Sequence, residues 1–248
     1  FDHTVGANIL YYFLFLQNNF YGIDFYKVTW SLVIEEWFYL FSPVFLLLTY
    51  HFVKKDKIVW LGFIFLFLIA ENLLRLGYVL YANVPYDGVN GNFPFRLDSL
   101  FVGMAFAYIK TFFSKQYSYF SKPWVFFSAL ALLCIYLYVF NSIMPQKNDL
   151  LWPRTIGFFL FSLLIAMVVP FIEKMETLSQ DTTVRKIFYH FINQTSLLTY
   201  SIYLIHPLVF PYFFDENKDT SYTWLFGFSF AVITTYMCAF FIYNYFEK

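Results

Sequence analysis

Charge is what this sequence has least of. Asp, Glu, Lys and Arg together make up 13% of its 248 residues, where a soluble domain carries about 25%. That excludes a globule covered by water. The few charges also cancel, 16 basic against 16 acidic, so nothing points to an electrostatic partner such as nucleic acid. Cysteine is almost absent. Cys134 and Cys238 lie inside apolar runs without ligand-type neighbours, which reads as two small buried hydrophobes, and no metal site is expected. No basic stretch with a short apolar run and small-residue cleavage site opens the chain, so no signal peptide is visible. Long polar intervals and internal repeats are missing too. One transmembrane domain over 1–248 follows, without the symmetry that would support an inverted-repeat transporter. A start at Phe1 and an end at Glu247-Lys248, directly after an apolar helix, suggest a piece of something longer.

What the sequence does have is hydrophobic residues, 60% of the chain, in runs near the length of ~20 residues that a helix needs to cross a bilayer. These fall at 8–20, 31–53, 57–81, 95–113, 123–141, 154–173, 187–213 and 222–246. The fold class expected is all-α, a polytopic membrane helix bundle with about eight transmembrane helices. Pro43, Pro170 and Pro207 lie within or near the ends of these runs and predict kinks. If loops alternate between faces, one face gathers Lys54, Lys55, Lys57, Lys110, Lys115, Lys122, Lys174, Arg185, Lys186 and Lys248, ten of the sixteen basic residues. The positive-inside rule makes that face cytoplasmic. The C-terminus is then inside, and the loops at 81–94 and 214–221 are outside.

Ionisable groups within spans are costly unless paired or hydrated, and each is a functional candidate. Glu35 and Glu36 open the second span, Glu71 and Arg75 sit in the third, Arg96 and Asp98 open the fourth, and His190 and His206 sit in the seventh. Glu71 and Arg75 are four apart and can form a self-contained ion pair on one helix face. Asp98 suits the positive start of a helix, and Ser31 is placed to cap the helix that carries Glu35. Adjacent carboxylates point to different sides, so at most one of Glu35 and Glu36 faces the bundle interior. A pairing of that carboxylate with Arg96 would hold it ionised. Thr199, Tyr203 and His206, spaced by four and three, share a helix face.

Taken together these segments resemble acyltransferase family 3, integral membrane enzymes that modify sugars of bacterial surface polysaccharides and related molecules. TWSLVIEEWFYLFSPVFLLL is similar to the family's Trp-Ser-Leu, Val-Glu-Glu and Phe-Tyr-Leu signature with its Pro. FPFRLDSLFVGMAFAY resembles the Arg-Leu-Asp element followed by a Gly, here Gly103. YSIYLIHPLVF resembles the late Tyr-Leu-x-His-Pro element, and YNYFEK resembles the close of the membrane domain. Order and spacing agree from Leu16-Gln17-Asn18 to Lys248. Two departures stand out. The family's first helices carry an Arg and a His, the His being held to be the catalytic base, and no such pair occurs here, since no Arg precedes His3. Trp37 stands where the family commonly has Gln.

The resemblance implies transfer of an acyl group, most often acetyl, from acyl-CoA to a hydroxyl of a cell-surface or lipid-linked carbohydrate, in the bacterial cytoplasmic membrane. Acetyl-CoA is a donor substrate, and no bound cofactor is implied. The chemistry asks for a base and for donors to a thioester oxyanion. In this chain Glu35, Arg96 and His206 fall to the catalytic roles, with Ser31, Glu36, Asp98 and Tyr203 at the substrates. The partners are acyl-CoA, the glycan acceptor and membrane lipid. A transporter or flippase of a related substrate, and a scaffold without activity in a polysaccharide assembly, remain the alternatives, because intramembrane charges also mark ion-coupled pathways.

Overall fold

Inside a bilayer a backbone without water can satisfy its N–H and C=O groups within an α-helix. The computed structural model is accordingly helical, with no strand among the described residues, which are 11–19, 29–53, 56–177, 183–213 and 221–247. Its main helices are α1 (Trp30–Val53), α2 (Lys57–Ala82), α3 (Asp98–Phe112), α4 (Pro123–Ser142), α5 (Ile156–Thr177), α6 (Thr183–Leu197), α7 (Thr199–Phe213) and α8 (Ser221–Ile242). Pro43, Pro170, Pro207 and Pro211 are carried inside α1, α5 and α7.

Among the described residues five segments are long and apolar enough to cross a membrane: Trp30–Tyr50, Lys57–Ala82, Pro123–Ser142, Ile156–Met175 and Leu225–Phe246. The count of eight is not confirmed among the described residues, for two physical reasons. The run at 95–113 opens with a 3₁₀ turn at Phe93–Phe95, which delays α3 to Asp98 and leaves it 15 residues, about 22 Å against a hydrocarbon core of ~30 Å. The run at 187–213 breaks at Leu198, whose N–H is shared between the carbonyls of Gln194 and Thr195. It yields two helices of 15 residues each, the first of them polar with His190, Asn193 and Gln194. The first run, 8–20, lies partly outside the described residues.

The chain forms two compact units, residues 1–175 and 176–248. In the first, α1, α2 and α3 pack through Ile64, Leu68, Leu97, Phe101, Val102 and Ala105, with Phe38, Phe41 and Phe45 of α1 against them. Phe67 and Phe101 stack with centroids 4.0 Å apart. Hydrogen bonds tie the helix ends in two separate sets. At one end the Asp56 carboxylate caps α2 by accepting from the N–H groups of Ile58 and Val59. There Glu173 of α5 takes bonds from Lys110 and from Tyr117, the latter at 2.7 Å. Burial and that carboxylate push the Tyr117 phenol up to about 12. At the other end Lys147 pairs with Asp87 at 2.9 Å, and the Tyr86 N–H donates to Asn148 at 2.8 Å.

Arg154 anchors that second end. Asn83 ends α2 in the left-handed region, with φ 44°, a conformation that Asn tolerates better than most residues. Arg154, 7% exposed, donates to Asn83 Oδ1 at 3.0 Å, to the Val84 carbonyl at 3.1 Å and to Leu150 O at 3.2 Å. Replacing it with Ala is expected to lower stability by about 2–3 kcal/mol, since charged hydrogen bonds are lost and buried acceptors are left open. Arg154→Lys should recover part of this, because an ammonium lacks the planar fork. Thermal unfolding in detergent measures both.

In the second unit α7 and α8 pack along their lengths, and Ala231, Thr235 and Ala239 of α8, four apart and buried, give the small-residue seam that lets helices approach in lipid. Phe191 of α6 stacks on Tyr236 of α8 at 6.3 Å, and Phe210 meets Phe228 edge-on at 5.8 Å. One expectation fails here and in α4. Cys134 is exposed and Cys238 is half-buried, both as free thiols. An apolar run does not imply burial when the solvent is lipid, as exposed Leu47, Phe127, Ile172 and Phe226 show on the same helices or their neighbours.

Candidate functional site

Four elements of the first unit bring polar groups into one place. The α2 helix supplies Glu71, Asn72 and Arg75. The turn before α3 supplies Phe95 and Arg96, α3 opens with Asp98 and Ser99, and α5 supplies Phe158 and Ser162. Arg75 is the hub. Its Nη2 donates to Asp98 Oδ2 at 2.6 Å and to Asn72 Oδ1 at 2.6 Å, and its Nη1 donates to the Phe95 carbonyl at 2.6 Å. Arg75 and Asp98 are both 0% exposed. The other oxygen of Asp98 accepts the Ser99 N–H at 2.8 Å, so this carboxylate serves the first turn of α3 and the ion pair together.

The expected pair between Glu71 and Arg75 is not formed. Reaching across to Asp98, the guanidinium neutralises a second buried charge and closes the turn onto α2, which a bond within its own helix would not do. Glu71, 4% exposed, faces the backbone N–H groups of Leu97 and Asp98 without a hydrogen bond to either carboxylate oxygen. Two guanidinium groups and two carboxylates thus lie in one cluster, three of them buried and Arg96 half-buried, with one direct ion pair among them.

Arg96 takes a different environment. Its guanidinium lies over the Phe158 ring at 4.2 Å, Arg75 approaches the same ring at 5.4 Å, and Tyr86 stacks on it at 5.0 Å. Next to Phe158 the backbone of Gly157 packs closely on Trp152, where an added Cβ would stand 3.0 Å from the Trp152 carbonyl oxygen, and the Tyr136 hydroxyl donates to the Gly157 carbonyl at 3.0 Å. Arg96 Nε is buried without a hydrogen-bond partner, and no carboxylate among the described residues pairs with this cation.

The expected pairing of Glu35 with Arg96 is therefore absent. Glu35, half-buried, accepts from the Tyr39 hydroxyl one turn on at 2.7 Å, while Glu36 is exposed. Helix α1 begins at Trp30, so Ser31 lies in its first turn instead of at its cap. The signature segment nevertheless meets the Arg-Leu-Asp segment, because Trp37 packs on Phe93 with centroids 5.0 Å apart. That indole also donates to the Phe15 carbonyl at 2.9 Å, and Asn18 donates to the Trp30 carbonyl at 2.7 Å. Three segments distant in sequence are joined around the residue that departs from the family pattern.

In the second unit the Tyr203 and His206 rings adjoin at 5.8 Å, and His206 meets Phe210 edge-on at 6.1 Å. Thr199, expected on the same face, bonds back to the Thr195 carbonyl at 3.1 Å. His3 lies outside the described residues. Phe158, Asn72 and Ser162 were not singled out by the sequence. A phenylalanine among 37 carries no signal, whereas Asn72, beside Glu71 in an apolar run, did.

The chain matches the family described as Acyltransferase domain, acyltransferase family 3, over residues 1–244. Neither the curated proteins nor the solved structures give a match. With the buried Arg75–Asp98 cluster, the α1 signature and the Tyr203–His206 element all inside the matched range, the chain belongs to acyltransferase family 3 and is an integral membrane acyltransferase.

Proposed function

We propose that the protein transfers an acyl group, with acetyl the simplest case, from acyl-CoA to a hydroxyl of a cell-surface or lipid-linked carbohydrate. It would do so in the bacterial cytoplasmic membrane with its C-terminus inside. The observation that carries this reading is Arg96: a half-buried cation in an aromatic-walled cluster that pairs with no described carboxylate. Such a group is suited to meet negative charge that develops during reaction.

The acceptor hydroxyl oxygen attacks the thioester carbonyl carbon, a C–O ester bond forms, the C–S bond breaks, and the departing CoA sulfur ends with the proton that the hydroxyl gives up. Arg96 stabilises the oxyanion of the tetrahedral intermediate. Glu35, steadied by Tyr39, orients the proton transfer, with His206 and Tyr203 contacting a substrate. Ser31, Glu36 and Asp98 support substrate binding, Asp98 by holding the Arg96 turn through Arg75. The anionic phosphates of CoA meet the basic face around Lys57, Lys110 and Lys122.

The full-length protein in lipid nanodiscs, given acetyl-CoA and a carbohydrate acceptor, should release free CoA thiol and an O-acetylated product seen by mass spectrometry. Glu35→Ala should lower that rate at least about a hundredfold, the scale of a positioned acid–base group. Movement of unmodified carbohydrate into liposomes with no acyl donor present, and no acylated product, would instead favour the flippase.

A further inference from the structure

Directly beneath the polar cluster the first unit holds an apolar slot of about 140 Å³. Leu68 of α2, Val102, Ala105 and Ile109 of α3, and Leu163 and Met167 of α5 form most of its wall, and every other side chain that lines it is a phenylalanine. The register places this slot against the cluster. Leu68 precedes Glu71 by three residues, Val102 follows Asp98 by four and Ser99 by three, and Leu163 follows Ser162, whose hydroxyl donates to Ser99 at 2.9 Å. One helical turn separates charged groups from a wall without a polar side chain.

That order of polarity matches an acyl group, a carbonyl carrying a hydrocarbon tail. We propose that the slot receives the hydrocarbon chain of the acyl donor and sets its length, extending the donors accepted from acetyl to chains of about four to six carbons. An apolar protein cavity of about 150 Å³ stays dry and takes up benzene, six carbons in all. The inference rests on the acyl-CoA reading above, and it commits to the donor's chain over the tail of a membrane lipid because the slot adjoins the cluster that contains Arg75 and Asp98. Filling it would leave the thioester carbonyl at the cluster end of the slot, on the side of the Ser99–Ser162 hydroxyl pair, since Val102 and Leu163 of its wall lie next to those serines in the helix register.

The test compares donors from acetyl- to octanoyl-CoA with the full-length protein in nanodiscs. The kcat/KM should rise about fourfold per methylene buried and then fall once the chain exceeds the slot. Ala105→Leu, which narrows the slot, should move the optimum to shorter chains, and Met167→Ala should move it to longer ones; the second variant decides the matter if the first does not fold. An optimum at acetyl, or one that Met167→Ala leaves in place, overturns the inference even when transfer itself is robust. Photolabelling with hexanoyl-CoA bearing a terminal diazirine gives an independent reading. Crosslinks within 102–109 or 159–167 uphold the slot even if no carbohydrate is acylated, in which case the acyl-transfer-to-carbohydrate reading fails alone. Crosslinks confined to the outer faces of the helices mean that lipid fills the slot and the inference is wrong.

Discussion

Arg75→Met is expected to cost about 3–5 kcal/mol, the usual penalty for removing one partner of a buried ion pair. Asp98 is 0% exposed, and without the guanidinium its carboxylate keeps only the bonds from Ser99, the N–H at 2.8 Å and the hydroxyl at 3.5 Å. Glu71, already without a hydrogen bond to its carboxylate oxygens, would lose the nearest compensating charge as well. The turn at Phe95 would be released from α2 at the same time. The double variant Arg75→Met/Asp98→Leu should regain most of the loss, since an apolar pair of similar volume replaces two desolvated charges. Unfolding midpoints in detergent, followed by tryptophan fluorescence, separate the cases. A single variant as stable as the parent would mean that the pair is open to water. A double variant no better than the single would mean that Arg75 acts chiefly through Asn72 and Phe95.

The same pair shows what could be read from the chain beforehand. Periodicity and low charge fixed the helical membrane class, because hydrocarbon leaves the backbone few options, and the three family segments marked Glu35, Arg96, Asp98 and His206 before any geometry was known. Spacing along one helix suggested Glu71 with Arg75, and that is where local reasoning stops. An arginine side chain is long enough to reach a neighbouring helix, and the choice between a carboxylate four residues away and one 23 residues away depends on how the turn at Phe93–Phe95 folds back. Helix breaks were hidden for a related reason. The run at 187–213 changes composition partway, with His190, Asn193 and Gln194 in its first half and an apolar second half, but where it breaks, at Leu198, is visible only in the shared backbone bond. The exposed thiol of Cys134 follows from the solvent: in lipid the inner and outer faces of a helix draw on the same residues.

Arg96→Ala is expected to reduce acyl transfer by about a hundredfold to a thousandfold, the range found when one donor to an oxyanion is removed, while stability falls by no more than about 1–2 kcal/mol. The contrast with Arg75 is one of partners. Arg96 makes no side-chain hydrogen bond or ion pair among the described residues, and its contact with the Phe158 ring at 4.2 Å is an interaction of about 2 kcal/mol at most in a desolvated setting. If it stabilises the tetrahedral intermediate, kcat falls and KM for the donor changes little, because an interaction made only in the transition state is lost. If it instead grips the ground state of an anionic substrate, KM rises with kcat preserved. Arg96→Lys keeps the charge but not the planar face that lies on Phe158, and should retain roughly a tenth of the activity. A kcat and KM unchanged in Arg96→Ala would remove this residue from the reaction, and the aromatic cage around it would then be read as a means of holding one half-buried cation beside Glu71 and Asp98.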